Sequence, residues 1–282
     1  MFELDSFIKK YVTKRAKSMF VDDINNNYNK ISEKISNKSV LVIGGAGSIG
    51  SSFIKAILPF RPAELVVVDI NENGLAELTR DLRSTNGMYI PNEYITYPMD
   101  FFSPVFEKMF KKYGGFDIVG NFSAHKHVRS EKDIYSVEAL LQNNVIHAKH
   151  LLDLLSVYPP EEYFCVSTDK AANPVNIMGA SKRIMEDLIF SYSDRFPVKT
   201  ARFANVAFSN GSLPAGFLAR MQKLQPISAP SDVKRYFVSP EESGQICMLA
   251  CMIGENREIF FPKLDEEEMM TFDKIATALI NE

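Results

Sequence analysis

Residues 40–50 read VLVIGGAGSIG and decide the fold class. Four consecutive apolar residues are typical of a strand that is buried on both faces of a parallel sheet. Glycines follow at 44, 47 and 50, and residues 49–58 then show helical periodicity. A tight glycine turn between a strand and a helix presents free backbone N–H groups to a pyrophosphate. The stretch therefore predicts a dinucleotide site formed by Gly44, Gly47, Ser48, Ile49 and Gly50.

Two carboxylates extend this prediction. Asp69 ends the second apolar run, about 20 residues after Gly50, where a carboxylate accepts hydrogen bonds from the adenosine ribose hydroxyls. A carboxylate there also repels a 2′-phosphate, so we expect NAD rather than NADP. Asp100 follows the third run and is either a contact for the adenine or the N-cap of the next helix.

Short apolar runs alternate with helical periodicities from residue 39 to residue 205. Strands are predicted over 40–43, 65–69, 95–97, 117–121, 163–167 and 199–203, and helices over 49–58, 73–84, 104–112, 134–156 and 178–194. This alternation implies right-handed crossovers and a parallel sheet with helices on both faces. We therefore expect an α/β domain with a doubly wound parallel sheet over residues 39–205.

The flanking segments have different patterns. Residues 1–38 are polar and predict one or two amphipathic helices, whose basic cluster is Lys9, Lys10, Lys14, Arg15 and Lys17. This cluster could touch an anionic membrane surface, but we favour a helix that packs on a partner subunit or on its own chain. Residues 206–282 predict a smaller C-terminal substrate-binding region with helices near 215–223 and 240–253. The helical pattern at 275–281 has no terminating signal, so we expect this region to be incomplete or truncated.

Composition excludes several classes of protein. The 282 residues are 46% hydrophobic and 24% charged, which is typical of a globular chain and not of a disordered one. The net charge of −3 lacks the basic excess of proteins that bind nucleic acid. The three cysteines lie in apolar stretches and fit no metal-ligand spacing, so we expect no metal site. With no transmembrane run and no secretory signal, we expect a cytoplasmic protein without an integral membrane segment.

Residues 164–183 read FCVSTDKAANPVNIMGASKR and contain the candidate catalytic groups. The segment leaves the fifth predicted strand at its C-terminal end, where ligands bind in open α/β sheets. Thr168, Asp169 and Lys170 emerge there together. They could be ordinary turn and capping residues. An acid and an amine side by side at the edge of a cofactor favour a catalytic use.

The order of these motifs resembles a known family. The glycine turn, STDKA at 167–171 and NPVNIMGASK at 173–182 resemble the extended short-chain dehydrogenase/reductases, and within them the polysaccharide-biosynthesis subgroup that includes UDP-N-acetylglucosamine 4,6-dehydratases. Further matches are AHKHV at 124–128, Asn144, RFANV at 202–206, SNGS at 209–212 and RYF at 235–237. The resemblance covers residues 39–255 and implies a Rossmann fold, a sugar-nucleotide substrate and a homodimer or higher oligomer.

The resemblance also implies roles for single residues. Oxidation at C4 of the sugar acidifies the C5 proton, which Lys170 would remove while Asp169 donates to the departing C6 hydroxyl. Thr168 would hydrogen-bond the C4 oxygen, and Lys182 would hold the nicotinamide ribose. The residues implied for substrate binding are Lys126, Asn205, Asn210 and Arg235. The long helices at 134–156 and 178–194 would form the dimer interface, although Leu140, Leu141, Leu151 and Leu155 could equally be internal core.

One residue departs from the superfamily pattern. The tyrosine of Tyr-x-x-x-Lys is replaced by Met178, with Lys182 four residues on and on the same helix face. A thioether has no proton to exchange, so Met178 cannot be a general base. The leading hypothesis is an NAD-dependent sugar-nucleotide 4,6-dehydratase, a lyase acting on UDP-N-acetylglucosamine. The alternatives are a sugar-nucleotide 4-epimerase and a catalytically inactive NAD-binding protein.

Overall fold

The computed structural model describes residues 2–126 and 131–282. Its strands in chain order are Ser39–Ile43 (β1), Glu64–Asp69 (β2), Glu93–Pro98 (β3), Ile118–Asn121 (β4), Glu162–Val166 (β5), Val198–Ala201 (β6), Asn205–Val206 (β7), Lys234–Arg235 (β8), Phe237–Val238 (β9), Ile259–Phe260 (β10) and Met270–Thr271 (β11).

The α-helices alternate with these strands through most of the chain. In order they are Leu4–Phe7 (α1), Val21–Asn26 (α2), Tyr28–Ile35 (α3), Ser48–Ile57 (α4), Glu72–Ser84 (α5), Pro104–Tyr113 (α6), Ile134–Leu141 (α7), Ala148–Val157 (α8), Ile177–Phe190 (α9), Leu213–Gln222 (α10), Pro240–Ile253 (α11) and Phe272–Asn281 (α12). Two π-helical turns, Ile8–Val12 and Gln142–His147, lie among them.

The main sheet has the strand order β10-β6-β5-β4-β1-β2-β3, and every pairing is parallel. This confirms the doubly wound parallel sheet and its six predicted strands. The seventh strand, β10, was not predicted, because two residues are too short for a periodicity to show.

Continuous apolar strands explain why the sheet is covered on both faces. Residues 40–43 of β1 and 65–68 of β2 are at most 1% exposed. One face packs against α3, α4 and α11, and the other packs against α6, α8 and α9. Side chains that alternate along each strand therefore enter two separate cores.

The expected boundary at residue 205 does not separate two cores. Helix α11 lies on α4 beneath the sheet, and residues 246–252 belong to the same buried cluster as β1 and β2. Strand β10 adds to the edge of the sheet beside β6. Residues 240–260 were expected in the substrate-binding region, but their apolar side chains complete the main core.

The long helix predicted over 134–156 is interrupted. The π-helical turn Gln142–His147 separates α7 from α8. Leu140, Leu151 and Leu155 are fully buried inside the chain, so they belong to its own core and cannot face a second subunit.

The N-terminal segment packs on its own chain, as the favoured interpretation expected. Phe7, Ile8 and Val12 join a third buried cluster with residues from α10, α12 and the segment after β7. Lys9 pairs with Glu241 at 4.0 Å and Lys10 pairs with Glu282 at 3.6 Å. In the described part of the chain, none of the helices is long and apolar enough to cross a membrane.

Candidate active site

The glycine turn lies between β1 and α4 and packs against β4. Gly44 has a φ of +74°, and a Cβ there would lie 2.7 Å from the backbone of Phe122. A Cβ on Gly50 would lie 2.4 Å from the carbonyl oxygen of Gly44. Only glycine permits this close approach. The turn therefore leaves the N-terminus of α4 open toward the cavity above the sheet.

Asp69 lies beside the turn, as predicted. One of its carboxylate oxygens accepts a hydrogen bond from the Ala46 amide at 3.0 Å, and the other accepts from the Asn71 amide at 2.9 Å. Arg80, which could have favoured a 2′-phosphate, is exposed and pairs with Glu77 at 3.3 Å. The charged group of β2 that lies against the glycine turn is therefore the Asp69 carboxylate.

A cavity of about 460 Å³ opens at the C-terminal ends of the strands. It brings together most of the predicted residues: Gly44, Gly47, Ser48, Ile49, Gly50, Asp69, Lys126, Thr168, Lys170, Met178, Lys182, Asn205 and Asn210. Its volume is in the range of small-molecule sites. Residues predicted from separate motifs thus line one continuous space.

An adjoining cavity of about 320 Å³ contains Asp100 and shares Gly44 and Asp69 with the first. The carboxylate of Asp100 accepts from the Phe102 amide at 2.9 Å. The N-cap of α6 is Ser103, whose hydroxyl accepts from the Phe106 amide. Asp100 is therefore not the helix cap that the sequence left open, and it lines this second cavity together with Asp69.

Thr168 follows β5 as the N-cap of a short 3₁₀ turn, Asp169–Ala171. The Thr168 hydroxyl donates to the Asp169 carboxylate at 2.8 Å, and the Lys170 ammonium lies 3.1 Å from the same oxygen. Thr168 and Lys170 line the cavity, whereas Asp169 does not line it and is half-exposed. The acid and the amine are thus joined as an ion pair at the rim.

Helix α9 brings Met178 and Lys182 to the cavity floor. Lys182 is 4% exposed, and its ammonium donates to the Val166 carbonyl at 3.0 Å. Burial lowers the pKa of Lys182 below its ordinary value. The Met178 amide donates to a carboxylate oxygen of Glu131 at 2.8 Å. Glu131 was not predicted, since no local pattern links it to a residue 47 positions away.

A buried ion pair supports this floor from below. Glu186 on α9 is 1% exposed, accepts from the Ser167 hydroxyl and pairs with Arg202 after β6. The bond from Arg202 Nε to Glu186 is 2.8 Å long. The pair fixes α9 to the ends of two neighbouring strands. Arg202 was quoted as a family match, but its partner could not be identified from sequence.

Asn144 links the loop after β4 to α9. Its side chain accepts from the His125 amide at 2.9 Å and donates to the His125 carbonyl at 3.0 Å. It also donates to Ser181 at 3.1 Å. These bonds are made from the π-helical turn, a feature that often marks functional sites.

Three of the four residues predicted for substrate binding line the same cavity. Asn205 and Asn210 line the cavity, and the Asn210 amide donates to the Ser48 hydroxyl at 2.8 Å. Surrounding protein atoms lower the pKa of Lys126 by desolvation, although its side chain still reaches solvent. His127 and Val128 of the AHKHV motif lie outside the described residues.

Arg235 is the fourth residue that the sequence predicted for substrate binding. It is exposed on β8, pairs with β11, and does not line the cavity. Its guanidinium donates to the carbonyl of Lys234 at 2.9 Å. The prediction that Arg235 binds the nucleotide therefore gains no support from the cavity lining.

Comparisons with known proteins agree with the order of the motifs. The family model described as "Polysaccharide biosynthesis protein" matches residues 40–282. The "Probable polysaccharide biosynthesis protein EpsC" of Bacillus subtilis is 31% identical over 89% of this chain, which spans 42% of that relative's length. A UDP-N-acetylglucosamine 4,6-dehydratase (inverting) of Campylobacter jejuni is 25% identical over 80% of this chain and 67% of that protein. A UDP-glucose 4-epimerase of Rickettsia bellii is also 25% identical, over 86% of this chain and 71% of that protein.

A solved structure shares the fold. The enzyme WbmF of Bordetella bronchiseptica, in complex with NAD+ and UDP, superposes with a TM-score of 0.68 at 16% identity, over 86% of this chain and 77% of that one. The resemblance seen in the sequence is confirmed. Because the family model covers most of its length, the chain belongs to the polysaccharide biosynthesis protein family.

Proposed function

We propose that this member of the polysaccharide biosynthesis family is an NAD-dependent sugar-nucleotide 4,6-dehydratase that acts on UDP-N-acetylglucosamine. The observation that carries the proposal is that Thr168 and Lys170 line the same cavity as the glycine turn. The product would be a 4-keto-6-deoxy sugar nucleotide. The relative named as a dehydratase supports the reaction class, and the NAD+ and UDP bound to WbmF support this pair of ligands.

The residues at the turn fit a dinucleotide. Gly44 and Gly50 leave the space that a Cβ would fill, and the Asp69 carboxylate lies beside them for the ribose hydroxyls. NAD, when bound, would accept the hydrogen from C4 with its electron pair and return it to C6. Lys182 lies on the cavity floor, where its ammonium would stabilise negative charge at the C4 oxygen.

The Asp169–Lys170 pair can supply both proton transfers. The contact of 3.1 Å lets one proton move between the ammonium and the carboxylate. Substrate binding would displace water from this half-exposed pair, which favours the neutral amine and the neutral acid. The amine of Lys170 then takes the C5 proton, and Asp169 gives its proton to the departing C6 hydroxyl, which leaves as water. The two residues end as the ion pair that the structure shows. The C4 hydroxyl releases its proton to solvent during oxidation, and a solvent proton adds to C5 as the hydrogen returns to C6, so the overall reaction loses one water and nothing else.

The remaining wall residues would orient the sugar nucleotide. Thr168 would hydrogen-bond the C4 oxygen, while Met178 contributes shape and no proton. Lys126, Asn205 and Asn210 line the same cavity and would bind the nucleotide. Arg235 has no part in the proposal.

An epimerase is the second candidate, because a UDP-glucose 4-epimerase is as similar to this chain as the dehydratase. Epimerisation at C4 uses the same cofactor and the same 4-keto stage. It removes no proton from C5, so it leaves the Asp169–Lys170 pair without a role. That pair favours dehydration.

The deciding experiment uses purified protein with NAD and UDP-N-acetylglucosamine in deuterated water. Mass spectrometry should show a product that has lost one water and gained one deuterium at C5. A product of unchanged composition with inverted C4 would replace the dehydratase by the epimerase. Bound NAD without conversion of any sugar nucleotide would identify a catalytically inactive protein.

We also propose that the protein forms a homodimer through α7 and α9. Both helices carry exposed apolar side chains, including Ile134, Tyr135 and Ile184. Light scattering should give twice the chain mass of 31.8 kDa, and Tyr135→Glu should shift it to the monomer. A monomeric wild-type protein would contradict the proposal.

A further inference from the structure

Arg15 joins parts of the chain that lie far apart in sequence. Its Nε and Nη2 donate to the two carboxylate oxygens of Glu242, each at 2.8 Å. Its Nη1 donates to Glu268 at 2.7 Å, and Nη2 also donates to the Phe237 carbonyl at 3.0 Å. The Arg15 side chain is 15% exposed and that of Glu242 is 2% exposed. Charged hydrogen bonds with this geometry are strong and directional.

The Phe237 carbonyl connects Arg15 to the cavity wall. Phe237 belongs to β9, which pairs in parallel with β7, and Asn205 of β7 lines the cavity. The Asn205 amide donates to the Tyr236 carbonyl at 3.2 Å, and the Ala207 amide donates to the Val238 carbonyl at 2.9 Å. The cavity wall at β7 is therefore hydrogen-bonded to β9, and β9 is hydrogen-bonded to the Arg15 guanidinium.

Apolar packing reinforces the same connection. The Phe7 ring meets Phe208 edge-to-face at 5.8 Å, and Ile8 and Phe217 are buried in the same cluster. Residues 209–212 continue from Phe208 along the cavity. The N-terminal segment is thus the outer support of residues 205–212, although the family model begins only at residue 40.

We infer that Arg15 is a positioning residue for the sugar-nucleotide half of the site, which it orders through β9 and β7, while the NAD half meets residues 205–212 through the bond from the Asn210 amide to Ser48. The inference rests on the proposed function for the identity of the ligand. The NAD half should respond much less to Arg15, because its turn is built from β1, α4 and β2 and Asp69 bonds directly to the Ala46 amide. Loss of Arg15 would also leave the buried Glu242 carboxylate without its cation.

The test compares UDP and NAD binding by calorimetry for wild-type protein, Arg15→Ala and Arg15→Lys. Arg15→Ala should weaken UDP binding roughly tenfold while the Kd for NAD stays within about twofold. Arg15→Lys should not restore UDP binding, because one ammonium cannot reach the four acceptor atoms that the guanidinium bonds on three residues. The matched control is Lys9→Ala on the same segment, which removes an exposed pair and should change neither affinity.

Two results would overturn the inference: unchanged UDP binding by a folded Arg15→Ala protein, or equal losses of UDP and NAD affinity. If Arg15→Ala does not fold, Glu268→Gln is tested in its place, because this substitution weakens only the hydrogen bond from Arg15 to Glu268. It should reduce UDP affinity about threefold with NAD unchanged, and unchanged UDP affinity would count against Arg15.

Hydrogen exchange separates this inference from the proposed function. Without any ligand, the amides of Asn205 and Ala207 should exchange faster in Arg15→Ala than in wild-type protein, while those of β1 stay protected. Wild-type protein that binds no UDP would contradict the proposed function. Equal exchange at Asn205 and Ala207 would contradict the role of Arg15.

Discussion

The two halves of the cavity are built in different ways. Most of the NAD half is local: the glycine turn, the start of α4 and Asp69 lie within residues 44–69, and the Asp69 carboxylate bonds an amide only 23 residues away. Lys182 on the cavity floor and the Asn210 amide on Ser48 come from farther along the chain. The substrate half is remote, since Arg15 reaches partners 222 to 253 residues away. A turn built from neighbouring residues keeps its geometry when distant segments change. A wall that is supported by several distant segments changes when any one of those segments changes. We therefore expect mutations to separate binding of the two ligands.

Lys170→Ala should have the largest effect, because it removes the proposed base where the two halves meet. We expect kcat to fall about 10³-fold, the contribution typical of general acid–base catalysis. Both ligands should bind nearly as tightly as before. The measurement is the initial rate of product formation, with Lys149→Ala, at an exposed pair, as the control. A rate close to that of wild-type protein would remove Lys170 from the mechanism.

Gly50→Ala should affect the NAD half alone. The added Cβ would lie 2.4 Å from the Gly44 carbonyl oxygen, so the turn must open. We expect a loss of about 2 kcal/mol in NAD binding, roughly thirtyfold in Kd, with UDP binding retained. Gly216→Ala is the control, since its Cβ would meet only the end of the flexible Arg220 side chain. Equal loss of both ligands would show that the two halves are one unit.

Lowering the pH should weaken the Arg15–Glu242 ion pair that supports the substrate half. Burial opposes ionisation of Glu242, but Arg15 and the Ser239 and Met19 amides hold the pKa of that carboxyl below its ordinary value of 4.5. A lowered carboxyl pKa stabilises the folded protein above pH 4.5, and this stabilisation is lost as the pH falls through the folded-state pKa.

Denaturant unfolding of wild-type protein and Glu242→Gln across this range checks the effect. The free energy of unfolding should fall with pH more steeply in wild-type protein than in the variant. Parallel curves would show that Glu242 does not titrate differently on folding.

Much of the NAD half was predictable because its signals are contiguous. The apolar run and three glycines of residues 40–50 lie together, and Asp69 ends the next apolar run. The STDKA segment was found in the same way. In contrast, several contacts of the site join residues that are far apart in sequence. Glu131 bonds a residue 47 positions away, Glu186 one 16 positions away, and Arg15 one more than 200 positions away. The residues next to them in sequence show no pattern that predicts these contacts. Arg235 does not line the cavity, and its place depends on the pairing of β8 with β11, which its sequence neighbours do not show.

The sequence alone determined the six main strands, most of the helices between them and the residues of the glycine turn, because hydrophobic periodicity and turn chemistry act over a few neighbouring residues. Tertiary structure decided the rest: β10 as a seventh strand, α11 beneath the sheet, and the N-terminal segment behind the substrate wall. These features depend on which buried surfaces meet after the chain has collapsed. That choice is made by packing and by paired buried charges between residues that are far apart in sequence.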